Sequence, residues 1–310
     1  MDFRTRVRCA CITAAAALSV STGANAETLT IETIYPARSD EAAMLESIAV
    51  GRFAGREGPS FANRIEERLI DASIDGVPYF TLIHRSQAGE ADAILAGEAR
   101  VRVSETEFGQ RRKICVAKDA DGDCIRRENV ELSCLRLSVG VRPQADLRAA
   151  DGAVIWSRRF ASDHTLSYCP GYDDEPLVEP VVEAALAAAA DEVRRELAPF
   201  QVVQDIRIME RRKGLSKPVA QQFRAAIALT KTDEGAACDL FASLEPDAPS
   251  HPSLQFNLGL CAEQIGDFER ARAYYDAALA DKSSDDEAQA GIFRLQSNIA
   301  AERQLAMRVD

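Results

Sequence analysis

The sequence has 310 residues, with 49 acidic and 37 basic side chains, so the chain carries a formal net charge of −12 at pH 7. This excess of negative charge argues against nucleic acid or an anionic membrane surface as the partner, because both reward cationic protein surfaces. The length is sufficient for two ordinary domains, each with its own hydrophobic core.

The first 26 residues have the pattern of a signal peptide that is removed on export. Arg4, Arg6 and Arg8 precede the apolar run ACITAAAALSV, and small residues follow at positions 24–26, where a signal peptidase would cut. The run is shorter than the roughly 20 residues of a membrane span. Its cysteines lack the sequence context of a lipid-attachment site. We therefore expect a periplasmic or secreted protein without a membrane span.

The segment after the signal peptide alternates between strand and helix patterns. Three stretches have the short apolar runs typical of strands: residues 27–34, 47–55 and 77–84. Between two of these stretches, Phe61, Ile65 and Leu69 recur every four residues, which predicts an amphipathic helix that Gly76 closes.

The block that follows, up to residue 210, is rich in strand patterns. A polar hairpin is predicted around KICVAKDADGDCIRRE, and residues 135–142 alternate between apolar and polar, which indicates a half-buried antiparallel strand. A long helix is predicted after Pro176, and QVVQDIRIMER has the composition of a closing strand. Residues 27–210 are thus predicted to form an α+β domain with a mostly antiparallel sheet and covering helices.

Composition changes at residues 211–218, the candidate linker, and the remaining sequence has helical patterns. Residues recur there at a spacing of 34, and the second unit has small and large residues at the positions typical of a tetratricopeptide repeat: Leu258, Gly259, Ala262, Gly266, Ala271, Tyr275 and Ala278. Residues 211–310 therefore resemble an all-α tetratricopeptide-like helical hairpin domain. Its predicted parts are two repeats and a capping helix, at 216–249, 250–283 and 284–307.

Six cysteines lie outside the signal peptide. An even number in an exported chain favours disulfides over thiol chemistry. Sequence neighbourhood favours three pairs, with other pairings left open: Cys115–Cys124, Cys134–Cys169 and Cys238–Cys261. Zinc binding is the alternative, but the sequence has no Cys-x-x-Cys spacing and only three histidines.

The stretches SIAVGRFAG, ADAILAGEARV and LRAADGAVIWSRRF resemble three motifs of the curli-secretion-channel and penicillin-binding-protein-activator superfamily. The resemblance covers roughly residues 44–200 and implies an envelope protein with an α+β binding fold that acts through protein contacts. The sequence departs from those relatives in lacking their lipid-attachment cysteine. Its segment 106–133 also carries five basic side chains, so an interaction module is expected rather than a pore: Arg111, Arg112, Lys113, Arg126 and Arg127.

The sequence contains no motif of a nucleophilic hydrolase or of a phosphate-binding loop. The best candidate cluster is Ser162-Asp163-His164, but adjacency in sequence does not bring side chains together, so a solvated loop is the favoured interpretation. We expect neither enzymatic activity nor a cofactor.

Asp119, Asp121 and Asp123 are candidate calcium ligands, because calcium prefers several oxygen ligands. Gly122 falls two residues early for an EF-hand loop, and no Glu occupies the twelfth position. Aspartate and glycine also form tight turns, so a hairpin tip is favoured over a weak metal site.

The helical repeats offer a candidate partner-binding groove, since the first helix of each unit lines the concave side of such arrays. Eight residues are predicted to line it: Ser253, Phe256, Asn257, Leu260, Glu263, Gln264, Gln222 and Leu229. The alternative is that the two repeats pack on the first domain.

Together these features predict a non-enzymatic periplasmic adaptor or scaffold that binds a protein partner in cell-envelope assembly or secretion. The partner, the pathway and the oligomeric state are left open. The alternatives are an enzyme or enzyme subunit acting on envelope glycan or peptide, and a calcium-tuned envelope sensor.

Overall fold

A computed structural model describes residues 27–279 and 285–309. The predicted signal peptide at 1–26 and the junction before the capping helix at 280–284 lie outside the described residues.

The fold is α+β, as predicted. The strands are β1 Thr28–Tyr35, β2 Ser47–Ala54, β3 Ser73–Ile74, β4 Val77–Pro78, β5 Thr81–Ile83, β6 Ala93–Lys118, β7 Cys124–Ala149, β8 Val154–Arg159, β9 Ser162–Tyr168 and β10 Phe200–Arg207. The helices are α1 Asp40–Ala43, α2 Gly58–Ile70, α3 Glu179–Leu197, α4 Lys217–Leu229, α5 Glu234–Leu244, α6 Pro252–Gln264, α7 Phe268–Ala278 and α8 Asp285–Val309.

The main sheet has the strand order β5-β2-β6-β7-β8, and β9 also pairs with β7. Strand β2 runs parallel to β5 and β6, whereas β6 to β9 are joined by antiparallel pairs. One face of this sheet is covered by α2 and α3, and the core between them buries Phe53, Phe61 and Leu186. The predicted alternation in 135–142 follows this arrangement, since Leu137, Val139 and Val141 are buried and the two valines belong to this core.

Helix α2 is shorter than predicted. The four-residue spacing of Phe61, Ile65 and Leu69 does bury one face of the helix, but the helix ends at Ile70 rather than near Gly76. Asp75 and Gly76 instead form the tight turn between β3 and β4, with positive φ angles of 51° and 75°. Asp-Gly pairs favour such a turn because both central residues need positive φ.

A two-stranded ribbon links the sheet domain to the helical region. Strands β1 and β10 pair with each other along eight positions and do not join the main sheet. Leu29 and Ile31 of β1 and Ile208 after β10 are buried in one hydrophobic cluster with Phe223 and Phe241 of the helices. The division into domains at residues 210 and 211 stays a prediction, but β1 contributes to the core on the helical side of it.

The helical region consists of the hairpins α4–α5 and α6–α7, followed by the long helix α8. Gly259 of α6 lies against the ring of Tyr275 on α7, so closely that a Cβ there would lie 2.6 Å from a ring carbon. A Cβ at Gly291 of α8 would also lie 2.6 Å from a carbon of the same ring. These glycines allow three helices to approach around one buried tyrosine. The tetratricopeptide assignment stays a prediction.

Three disulfides join Cys115 to Cys124, Cys134 to Cys169, and Cys238 to Cys261. They are the pairs that sequence neighbourhood favours. Disulfides are typical of proteins that fold outside the reducing cytoplasm. Across the part of the chain that the structure describes, each helix is too short or too polar to cross a bilayer.

Candidate partner-binding sites

The predicted groove on the repeats is largely filled by the chain itself. Five of its eight residues are buried: Ser253, Phe256, Asn257, Leu260 and Glu263. Strand β1 packs on α6, and the Asn257 amide exchanges two hydrogen bonds with the backbone of Met209, at 2.8 and 3.0 Å. This corrects the expectation of an open groove. Strand β1 and the segment after β10 pack on α6 and cover the face that was expected to be exposed.

The other three predicted groove residues also differ in their surroundings. Gln264 is half-buried, and its side-chain amide donates to the backbone oxygen of Thr30 at 3.2 Å and to Glu234. Leu229 is half-buried, and only Gln222 is exposed. Gln264 also borders a small recess of about 210 Å³ beside the Cys238–Cys261 disulfide.

Glu263 belongs to a buried ionic cluster. Arg294 of α8 donates two hydrogen bonds to its carboxylate, at 2.8 and 2.7 Å, and the Tyr275 hydroxyl donates a third at 2.5 Å. Burial, together with the adjacent Glu263 charge, raises the pKa of Tyr275 far above its ordinary value. The hydroxyl therefore stays protonated and acts as a donor. Glu263 connects α6, α7 and α8 and is not available to a partner.

An open cleft lies at the edge of the main sheet, between β6 and the start of α3. Its volume is about 520 Å³. Strand β2 covers β6 only as far as the Ala54–Glu98 pair, so that beyond Glu98 the described strands leave one edge of β6 unpaired. Three segments form the walls: residues 55–57, residues 99–103, and Val178 with the α3 residues Glu179, Val182 and Glu183 that follow it.

Local sequence explains why β2 ends there. Gly55 has a positive φ of 90° and lies against the backbone oxygen of Ala99, a position that a side chain would block. The chain then turns away into α2. The edge that it leaves carries Val103, of which 50% is exposed.

Charges in the cleft are partly paired. A hydrogen bond from Arg64 lowers the pKa of the Glu183 carboxyl below its ordinary value, so Glu183 is ionised at neutral pH. Arg56 and Glu57 form an ion pair at 3.5 Å. The cleft therefore combines a polar rim with valine side chains and an open strand edge.

A scan against protein-family models and a search of curated proteins each found no match. Among solved structures, the chain is similar to a PelC dodecamer from Paraburkholderia phytofirmans, with 16% sequence identity and a TM-score of 0.24. The similar region covers 55% of this chain and 98% of that chain. A TM-score this low does not establish a common fold. No family is assigned.

The predicted calcium residues lie at the tip of a long hairpin. We call residues 109–133 the arm; its strands pair only with each other among the described strands. The Asp119 carboxylate accepts from the backbone N–H groups of Asp121 and Asp123, at 3.1 and 2.8 Å, and so stabilises the turn. Within residues 27–279 and 285–309, no three His, Cys, Asp or Glu side chains are grouped as metal ligands.

The Ser162-Asp163-His164 cluster lies on β9. The Ser162 hydroxyl and the His164 Nε2 are 2.7 Å apart, because residues two apart on a strand share a face. Asp163 points to the other face and pairs with Arg142 at 2.6 Å. Among the described residues, His164 makes no hydrogen bond to a carboxylate, so the orienting group of a triad is missing.

The cleft residues were not identified from the sequence. The difference in strand length could have identified them, because the eight-residue β2 is too short to pair along the whole 26-residue β6. The parallel pairing of β2 with β6 is a non-local contact, and the pattern of either strand alone does not show which neighbour it takes.

Proposed function

We propose that the protein is a non-enzymatic adaptor of the bacterial cell envelope that binds an extended segment of a partner protein in the cleft between β6 and α3. The partner segment adds as a strand to the open edge of β6. Backbone hydrogen bonds supply the affinity in this mode of recognition, and side chains in the flanking cleft supply the specificity.

The single observation that carries the proposal is the unpaired edge of β6 inside a cleft. An exposed strand edge presents free N–H and C=O groups, which proteins usually cover or protect with charge. Here the edge at 99–103 includes the half-exposed Val101 and exposed Val103, and Val178, just before α3, lines the opposite wall. The three disulfides agree with an envelope location, where thiols are oxidised.

The test places a photo-cross-linking amino acid at position 103 or at position 154 of the chain produced in bacteria. Val154 is the matched control for Val103, because both are valines on strands and their exposed fractions are 51% and 50%. We expect one defined protein adduct at position 103 that position 154 does not give.

A second pair of variants tests the same cleft without a cross-linker. Val103→Glu adds a negative charge opposite Glu179 and Glu183 and should abolish co-purification of the cross-linked partner, whereas Val154→Glu should not. Equal adducts at both positions, or a partner that still co-purifies with Val103→Glu, would rule out the cleft as the binding site.

A further inference from the structure

An arginine-rich recess lies on the outer face of the main sheet, on the side away from α2 and α3. Its volume is about 380 Å³. The side chains that form it come from three adjacent strands: Glu98, Arg100, Arg102, Arg142, Gln144 and Arg159. We call this site the arginine recess. Arg100 and Arg102 also border the cleft through their backbones, but side chains alternate along a strand, so theirs point to the opposite face from Val101 and Val103.

Strand register brings like charges together in this recess. Arg100 of β6 lies directly opposite Arg142 of β7. Arg102 follows two positions along β6 on the same face, roughly 7 Å away along the strand. Arg159 of β8 is opposite Gln144, the next outward-facing residue of β7 after Arg142. Like charges in directly opposed positions destabilise a sheet, so this arrangement needs a compensating negative charge.

Internal partners supply only part of that compensation. Glu98 pairs with Arg100 at 2.7 Å, and Asp163 pairs with Arg142 at 2.6 Å. Arg159 donates to the neutral amide oxygen of Gln144 at 3.0 Å. Arg102 has no hydrogen bond or ion pair with the rest of the described chain. The four guanidinium groups outnumber the three neighbouring carboxylates, those of Glu98, Asp163 and Asp146, so the recess keeps an excess of positive charge on a chain whose net charge is −12.

We propose that the arginine recess binds a phosphate group, either free or as a monoester. A phosphate monoester carries between about −1.5 and −2 charges at pH 7 and offers three acceptor oxygens, so it can pair with several of these guanidinium groups at once. Guanidinium groups donate paired hydrogen bonds to phosphate oxygens, and several can converge on one tetrahedral group from different strands. A carboxylate has half the charge and a planar shape that one guanidinium fork satisfies, so it is the weaker match.

The first experiment measures binding to the purified full chain in phosphate-free buffer at constant ionic strength. The probes are inorganic phosphate, glucose 6-phosphate, and phosphatidylcholine vesicles with or without phosphatidic acid. Binding of any of the three phosphates supports the proposal, and the arm that binds most tightly identifies the source as free phosphate, phosphorylated sugar or lipid headgroup. Tighter binding of glucuronate or of an acidic peptide than of every phosphate would overturn it, as would no binding of any phosphate.

Variants then assign the binding to the recess. Arg102→Gln should weaken phosphate binding about ten-fold or more, the loss expected for hydrogen bonds to a charged group. Because Arg102 has no partner in the described chain, this variant should keep the melting temperature of the parent in phosphate-free buffer. Arg127→Gln is the control, since Arg127 is an exposed arginine on the arm, away from the recess. An equal loss in both variants would show non-specific attraction and overturn the assignment.

Arg100→Gln separates anion binding from a structural role. It removes the charge opposite Arg142, so we expect the melting temperature in phosphate-free buffer to rise while the stabilisation by added phosphate is lost. A lower melting temperature without phosphate, together with an unchanged response to phosphate, would mean that Arg100 serves only its pair with Glu98.

Discussion

Gly259 shows at the residue scale how the helical region depends on close packing. Substitution by Ala would place a methyl group 2.6 Å from the ring of Tyr275, which is also in close contact with Gly291. We expect Gly259→Ala to lower the free energy of unfolding by about 1–3 kcal/mol, the usual cost of overpacking a core. Urea denaturation measures this change.

Gly235 provides the matched control for that substitution. It also lies in a helix, but a Cβ there would meet only the Asp233 carboxylate at 3.5 Å. Gly235→Ala should therefore be neutral or stabilise the chain by up to about 1 kcal/mol. Similar effects of the two substitutions would contradict the packing role of Gly259.

The buried pair of Glu263 and Arg294 gives a second prediction at this scale. Arg294→Met leaves the Glu263 carboxylate buried without its cation, so we expect a loss of about 3–5 kcal/mol in the free energy of unfolding. Arg272→Met removes the exposed pair with Asp276 and should cost about 1 kcal/mol or less. The double change Arg294→Met with Glu263→Leu should recover much of the loss. Equal costs for the two single variants would show that the buried pair has no special role.

The arm is the element whose stability depends most on its covalent links. Apart from Leu132, its residues are not buried, and an isolated two-stranded hairpin is marginal in water. We expect the double change Cys115→Ser and Cys124→Ser to increase hydrogen exchange within residues 109–133 and to leave the global unfolding midpoint nearly unchanged.

The third disulfide serves as the comparison. Removal of the link between Cys238 and Cys261, which joins two packed helices, should lower global stability by about 3 kcal/mol. A global loss of stability on removing the tip disulfide, or unchanged exchange in the arm, would contradict an arm that is locally stabilised.

Elements with a strong local pattern were predictable from the sequence, and their non-local neighbours were not. The spacing of Phe61, Ile65 and Leu69 identified α2, although the Asp75–Gly76 turn belongs to a hairpin rather than to the end of that helix. The recurrence of residues at a spacing of 34 also suggested that α6 is a repeat helix, but such a pattern does not reveal that β1 covers this helix. Whether the groove is open and whether the edge of β6 is paired both depend on such long-range packing.

At the scale of the whole molecule, contacts of β1 and of the segment after it join the two predicted domains. Strand β1 is buried among the helices, and the Gln304 side chain of α8 forms two hydrogen bonds with the backbone of Ala37, at 2.8 and 3.1 Å. We therefore expect a single cooperative transition for the intact chain in calorimetry. A fragment of residues 211–310 lacks β1 and should show little helical circular dichroism. Two separate transitions, or a fragment that folds cooperatively by itself, would contradict this expectation.

The contact of Ala37 with Gln304 has a consequence for the order in which the chain is made. The two residues are 267 positions apart, so the ribosome adds Gln304 roughly 13 to 53 s after Ala37 at about 5–20 residues per second. Until α4 to α6 have been made, the apolar face of β1 has no helices to cover it. The nascent chain thus presents a hydrophobic strand to chaperones until the helices after residue 211 have been made, and the contact of Ala37 with Gln304 forms only after α8 has emerged.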